Sequence, residues 1–300
     1  MRVIWGIMIS LRPKQWTKNL FVFAGLLFTL GDPHPPSDFA RVIAAFFLFC
    51  VLSGSVYLIN DLLDAERDRR HPYKRNRPIA SGLISPAVGW SAGVILGVAG
   101  LALSVLLDAK FGAAAAAYYA LMTAYSLLLK EAMILDALAI SGGFVLRAAA
   151  GALVIHVSIS PWLLLCTTLL ALFLALAKRR GELTTLEGGA TDYRAILRDY
   201  TPEMLDQMIG VTASACLMAY SLYTFAPFSE TAERHPMMMA TIPFVIFGLF
   251  RYLYLIHSKQ VTDSPETALL SDKQLLASVI LWGAAVAAIL LGFPPAPMSP

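Results

Sequence analysis

Long apolar runs alternate along the chain with short polar connections, and the runs have the length of a membrane crossing. A helical crossing takes about 20 mainly apolar residues, each adding about 1.5 Å of rise. Nine segments reach or approach that length: 17–31, 39–60, 87–107, 111–129, 134–156, 160–177, 205–227, 237–257 and 274–292. The first is the shortest, and the pattern defines its limits least. The expected architecture is all-α: a polytopic membrane protein forming one domain over residues 1–300, with nine transmembrane helices around a cytoplasm-facing cavity. No run of residues between the spans is long enough to form a soluble domain.

Composition changes little in this picture. The chain is 58% hydrophobic and 14% charged, against about 25% charged in an average soluble domain. Residues 1–10 lack the small-residue cleavage site of a secretory signal. Cys50, Cys166 and Cys216 all fall within apolar runs and read as small buried hydrophobes, with neither disulfide nor metal spacing.

The net charge of +3 is modest, but its distribution decides orientation. With the N-terminus inside, the cytoplasmic connections carry Arg2, Arg12, Lys14, Lys18, the basic run 67–77, Lys130 and the cluster Lys178, Arg179 and Arg180. Arg194, Arg198, Lys259 and Lys273 fall on the same side, and only Arg41, Lys110 and Arg234 on the other. The positive-inside rule then places the protein in the cell (plasma) membrane with its N-terminus cytoplasmic and its C-terminus outside. Both long polar connections, 60–86 and 178–204, lie on the cytoplasmic side and read as halves of one site. No nucleic-acid partner is expected, and the sequence leaves a homo-oligomer open.

Candidate chemistry concentrates at the end of the second run. Asp61, Asp64 and Asp68 share one helical face at roughly 100° per residue, with Asn60 at its edge. Like charges so spaced repel, and at a bilayer boundary they are unfavourable unless a cation holds them. Mg²⁺ takes oxygen ligands and bridges carboxylates to a substrate's phosphates. Lys74 and Arg77, in the basic run that follows, supply phosphate partners. These residues predict a Mg²⁺–diphosphate site at the membrane face, with Asp61, Asp64 and Asp68 as metal ligands.

Other positions extend the site, several with two readings. Tyr57 lies one turn before Asp61 and is either a cavity residue or an interfacial aromatic. Tyr125, Lys130 and Asp136 bracket a short cytoplasmic turn, where Lys130 is either a snorkelling anchor or a phosphate ligand. Lys178, Arg179 and Glu182 close the sixth run, as a positive-inside cluster or as a second phosphate-binding motif. Arg147 lies within the fifth run, where an arginine faces a cavity or a partner. Gly143 and Gly151 at i−4 and i+4 leave its face bare, so an anionic ligand is expected there. Lys14 and Lys18 belong to an N-terminal segment that anchors at the interface around Trp16 or folds over the cytoplasmic mouth to bind phosphate.

These residues resemble the UbiA-type intramembrane prenyltransferase superfamily. The resemblance rests on Asn60-Asp61-x-x-Asp64-x-x-x-Asp68, on the Arg-Pro-Ile-Ala-Ser-Gly segment at 77–82, and on the nine runs with a polar motif closing the sixth. It implies Mg²⁺-dependent binding of a diphosphate at two motifs facing one cavity, with a lipid channel opening sideways. His71-Pro72-x-Lys74-x-x-Arg77-Pro78, Leu135-Asp136 with Gly143 to Ala148, and Ala177-Lys178-Arg179-Arg180-x-Glu182-Leu183 are similar to the decaprenyl-phosphate phosphoribosyltransferase branch. That similarity implies phosphoribosyl diphosphate as donor and a polyprenyl phosphate as acceptor, in a step that feeds cell-wall biosynthesis. The alternative is prenyl transfer from prenyl diphosphate to an aromatic acceptor, as in quinone or haem biosynthesis. The second motif lacks that group's paired aspartates. A lipid-phosphate transporter would need polar residues in both halves of the spans, and the outer half has almost none.

Overall fold

A computed structural model describes residues 2–70, 72, 74–158, 160–185, 199–225, 235–258, 268–269 and 271–292. Among these residues there is no strand. The helices are α1 (Arg2–Ser10), α2 (Ala24–Phe28), α3 (Pro36–Leu63), α4 (Ala65–Arg70), α5 (Pro86–Leu107) and α6 (Ala109–Leu127). They continue as α7 (Leu135–Val154), α8 (Pro161–Thr185), α9 (Pro202–Phe225), α10 (Ile242–His257) and α11 (Lys273–Gly292). Seven helical stretches of the described residues are long and apolar enough to cross a membrane.

Two expected spans differ. The run 17–31 is not one α-helix: Pro13–Phe23 is a 3₁₀ segment, continued by α2. The run 111–129 forms α6, which is long enough but is not among the seven. Lys110, Tyr118, Tyr119 and Tyr125 dilute its apolar character.

The chain divides into two compact units. Unit 1 comprises Met1–Gly25 and Pro35–Ser158, and unit 2 comprises Leu26–His34 and Ile159–Pro300. In unit 1, α3 packs along α5, α5 on α6 and α6 on α7, while the 3₁₀ segment lies on α3 and α7. Gly89, Gly93, Gly97 and Gly100 form the buried face of α5. A Cβ at these positions would meet Leu62, Ile59, Tyr119 and Leu52 respectively, so the small residues set how closely the helices approach. Local signals fix the helix starts. Pro86 begins α5 behind Ser85, whose Oγ accepts from the Val88 amide, and Asp108 caps α6 by accepting from the Phe111 amide at 2.8 Å.

In unit 2, α8 packs on α9 and α10 on α11. Its core gathers Tyr220, Tyr223, Met238, Val286, Ile289 and Leu290. The Trp282 indole N–H donates to the Tyr220 hydroxyl at 2.8 Å, which lies 2.5 Å from the Thr241 hydroxyl. A bidentate pair joins Arg251 to Asp272, and Asp272 also accepts from the Leu275 amide at the start of α11. Burial is partial there, and the Arg251 hydrogen bond holds the Asp272 carboxyl below its ordinary range.

Candidate active site

The acidic motif occupies the end of α3. The helix closes at Leu63, Asp64 caps it, and α4 resumes at Ala65, so the three aspartates straddle a break instead of lining one continuous helix. Hydrogen bonds from the Asp64 amide to Asn60 and from the Asp68 amide to Asp64 keep helical spacing through the break.

The predicted repulsion is offset by the chain's own cations. Asp61, 2% exposed, accepts from Arg12 and from Arg77 Nη1, the latter at 3.0 Å. The same Arg77 nitrogen donates to Asp68 at 2.6 Å, so one guanidinium clamps two carboxylates. Asp64 has different partners, accepting from Lys130 Nζ at 2.7 Å and from the Asn60 carboxamide at 3.1 Å. Among the described residues no three His, Cys, Asp or Glu side chains are grouped to hold a metal ion. The cations that the spacing calls for are, in this structure, Arg12, Arg77 and Lys130 of the chain itself.

Arg77 is placed by a tight loop. The Ser81 amide bonds to the Arg77 carbonyl and the Ile84 amide to the Pro78 carbonyl, while Gly82 takes φ +79°, a backbone that favours glycine. Ile79 and Ile84 are buried against Leu58. An apolar plug thus ties the arginine loop to the helix that carries the aspartates.

Arg12 arrives by another route. Its backbone is left-handed, with φ 51° and ψ 64°, immediately before Pro13. Such a conformation is costly for a residue with a Cβ and persists where its surroundings over-determine it. The guanidinium carbon lies 4.8 Å from the centroid of the Tyr57 ring while the head bonds Asp61. Tyr57 is therefore the platform for a cation at the motif. In the sequence Arg12 is one cation of a basic N-terminus, and the Arg-Pro step, which marks a break in helical backbone, is the local signal of its special place.

Deeper in unit 1, Arg147 is 4% exposed. Its Nε donates to Asn19 Oδ1 at 2.8 Å, Nη1 to the Gly143 carbonyl at 3.0 Å and Nη2 to the Tyr118 hydroxyl at 2.7 Å. The Tyr118 and Phe144 rings flank its charge. The space expected for a ligand beside Gly143 and Gly151 is filled: a Cβ at Gly151 would overlap the Val22 carbonyl, and one at Gly143 would lie 3.0 Å from Met122 Cε. The bare face of α7 is the seat of the 3₁₀ segment. Asn19 is buried there, donating to Cys50 Sγ and Ser53 Oγ, each at 3.3 Å.

The remaining candidates are spread around this unit. Lys14 is exposed and Lys18 half-buried on the 3₁₀ segment, and Lys74 is half-buried before the Arg77 loop. Tyr125 is half-buried near the end of α6, and Asp136 is fully buried at the start of α7, beyond the turn that carries Lys130. Arg67 meets Glu131 of that turn at 3.1 Å. His71 and Tyr73, and residues 186–198 with Arg194 and Arg198, lie outside the described residues.

The model of the UbiA prenyltransferase family matches residues 19–279. The chain belongs to that family. This UbiA chain is 34% identical over 292 residues to decaprenyl-phosphate phosphoribosyltransferase of Mycolicibacterium smegmatis, covering 93% of this chain and 91% of that one. To the enzyme of the same name from Mycobacterium tuberculosis it is 31% identical over 290 residues, covering 95% and 94%. Among solved structures, a UbiA homolog from Archaeoglobus fulgidus bound to GPP and Mg²⁺ is similar with TM-score 0.73 at 18% identity, covering 95% of this chain and 100% of that one. A digeranylgeranylglyceryl phosphate synthase is similar with TM-score 0.65 at 16% identity, covering 97% and 100%. These two likenesses establish a shared UbiA fold.

The second polar motif of this UbiA chain ends α8 in unit 2. Arg179, 1% exposed, donates to Glu182 at 2.7 Å, one helical turn on, and Lys178 beside it is half-buried. Arg180 makes a bidentate pair with Asp206 of α9, at 2.9 and 3.4 Å. Hydropathy and spacing do not reveal that pair, because Asp206 lies 26 positions on in another run.

Proposed function

We propose that this protein transfers a 5-phosphoribosyl group from phosphoribosyl diphosphate to a polyprenyl phosphate such as decaprenyl phosphate, releasing diphosphate, in the presence of Mg²⁺. The observation that carries the reading is the likeness to the two mycobacterial phosphoribosyltransferases over more than nine-tenths of the chain. The site is in keeping with it: three aspartates, each already in contact with a cation of the same chain, make a surface for a polyanion and its counter-ion.

The donor set suits Mg²⁺. Asp61, Asp64, Asp68 and the carboxamide oxygen of Asn60 are hard oxygens, and a Mg²⁺ that takes one or two carboxylates completes its shell with water and substrate phosphates. Asp61, Asp64 and Asp68 would hold it. Bound there, the ion supplies charge neutralisation on the departing diphosphate. Arg12, Arg77 and Lys130 exchange carboxylate partners for phosphate oxygens, and Lys74, Lys14 and Lys18 add charge that draws in the donor. The acceptor's phosphate attacks the anomeric carbon. It is already anionic, so no strong base is needed, and cations around the motif lower the repulsion between the two anions. Arg147 fixes the 3₁₀ segment behind this surface through Asn19. Lys178, Arg179 and Glu182 are proposed phosphate ligands on the chemistry of their side chains alone.

In the membrane, the seven long apolar stretches are joined by α6 and by the run 17–31 to make nine crossings, with the N-terminus and the acidic motif on the cytoplasmic side. The test is transfer from radiolabelled phosphoribosyl diphosphate to added polyprenyl phosphate by purified protein, with and without Mg²⁺. A Mg²⁺-dependent labelled lipid is expected. No labelled lipid, with turnover of a prenyl diphosphate on an aromatic acceptor instead, would overturn the proposal.

A further inference from the structure

Helix α1 has nine residues, a length of about 13 Å against a hydrocarbon core of about 30 Å, so it cannot cross a bilayer. One side of it is packed. A Cβ at Gly6 would lie 3.1 Å from Ile84 Cγ1 and 3.2 Å from Leu83 Cδ2, and Ile7 joins the Leu58–Ile79–Ile84 cluster that anchors the Arg77 loop. The two residues after its end, Leu11 and Arg12, reach α3 at Gly54 and Asp61.

The opposite side is apolar and open. Val3, Ile4, Trp5, Met8 and Ile9 are all exposed, Ile4 by 69% and Trp5 by 68%. A water-facing surface rarely carries so many large apolar side chains in so short a stretch. Other open apolar side chains follow it: α1 rests on Leu83, itself exposed, and Val88, Trp90 and Val94 are exposed on the membrane-length helix α5. Charge points the same way. Residues 1–31 include Arg2, Arg12, Lys14 and Lys18 and not one carboxylate, the composition that draws a short apolar helix to anionic headgroups.

We propose that α1 is an in-plane helix that binds the surface of an anionic bilayer, its Trp5 face in the acyl–headgroup boundary, which sets Arg12 and Asp61 at headgroup depth. A phosphate on a lipid tail is carried at that same depth, so the acceptor reaches Arg12 without leaving the membrane. This last consequence rests on the phosphoribosyl-transfer reading. The placement of the helix does not.

The experiment reconstitutes the full chain and its Trp5→Phe variant in nanodiscs of phosphatidylcholine with phosphatidylglycerol, so that the fluorescence difference isolates Trp5 from the other four tryptophans. Lipids brominated near the headgroup end of the chain are expected to quench most of that difference signal, deeper bromines less, and aqueous iodide little. Quenching by iodide without quenching by bromolipids would place α1 in water and overturn the proposal. Resistance to both would mean that a second copy of the chain covers the face, which overturns it equally. The readout involves no turnover, so a failed transferase assay leaves it intact, and a failed quenching result leaves the transfer reading intact.

Discussion

Arg12 and Asp61 are separated by 49 positions in sequence and joined at the acidic motif by a guanidinium that rests on Tyr57. The arginine holds a left-handed backbone to get there. Strain and charge can be separated at this one position. Arg12→Ala and Arg12→Gly both remove the cation, but only glycine adopts the native backbone without cost. The glycine variant should be the more stable of the two by about 1 kcal/mol, seen as a higher melting temperature in detergent. Equal melting temperatures would mean that the backbone at Arg12 relaxes when the guanidinium is gone.

Asp61 receives two arginines while Asp68 shares one of them. Asp61→Asn keeps the shape and removes the charge, so it should lower transfer by about 100-fold or more, the scale at which a charge aimed at a reacting group is lost. The Mg²⁺ concentration for half-maximal rate should rise in Asp61→Asn and less in Asp68→Asn. Far-ultraviolet circular dichroism should stay helical in both. Transfer unchanged in Asp61→Asn would remove this aspartate from the site.

The outline of this arrangement was legible in the sequence. Hydropathy located the helices because each long run must bury or solvate in lipid, and the spacing of Asp61, Asp64 and Asp68 located the motif. Two things were hidden. Two partners of the aspartates, Arg12 and Lys130, come from 49 and 66 positions away, and periodicity carries no such long-range information. The second was the role of Arg147. An arginine between glycines in an apolar run looks like a ligand site, because glycine leaves a gap. Whether substrate or chain fills a gap depends on a tertiary contact, and here Val22 fills it.

Arg147 should accordingly behave as the keystone of its unit. Arg147→Met preserves bulk and strands the Asn19 carboxamide and the Tyr118 hydroxyl in a buried space. Each unsatisfied group costs about 1–3 kcal/mol. A lower melting temperature with or without substrate is expected, together with faster amide exchange over residues 13–23. A variant with normal melting and exchange but an impaired KM for the lipid would return Arg147 to the role of ligand.

Asp272 supplies a pH prediction in unit 2. Its folded-state pKa is held down, chiefly by the Arg251 hydrogen bond. The contribution of the pair is thus fully present above the ordinary carboxylate range and is lost as pH falls through the folded pKa, below about pH 4. The difference in melting temperature between wild type and Asp272→Asn should be constant at neutral pH and shrink in acid. A difference that grows in acid would reverse the sign of the linkage.

Gly151 and Gly210 both lie inside helices, α7 and α9, yet they should respond oppositely to the same substitution. A Cβ on Gly151 would overlap the Val22 backbone, which cannot rotate away as a flexible side chain would; a Cβ on Gly210 would meet nothing within 4 Å. Gly151→Ala must displace the 3₁₀ segment from α7, and that segment carries Asn19, which holds Arg147, and begins next to Arg12, which holds Asp61. Overpacking of this kind costs about 1–3 kcal/mol. Gly210→Ala gains helix propensity instead, up to about 1 kcal/mol. Gly151→Ala should therefore melt lower and lose transfer activity although no substituted atom touches the aspartates, and Gly210→Ala should melt at or above wild type with activity unchanged. If Gly151→Ala matched wild type in melting and in exchange over 13–23, close contact between that segment and α7 would not be what positions Arg12.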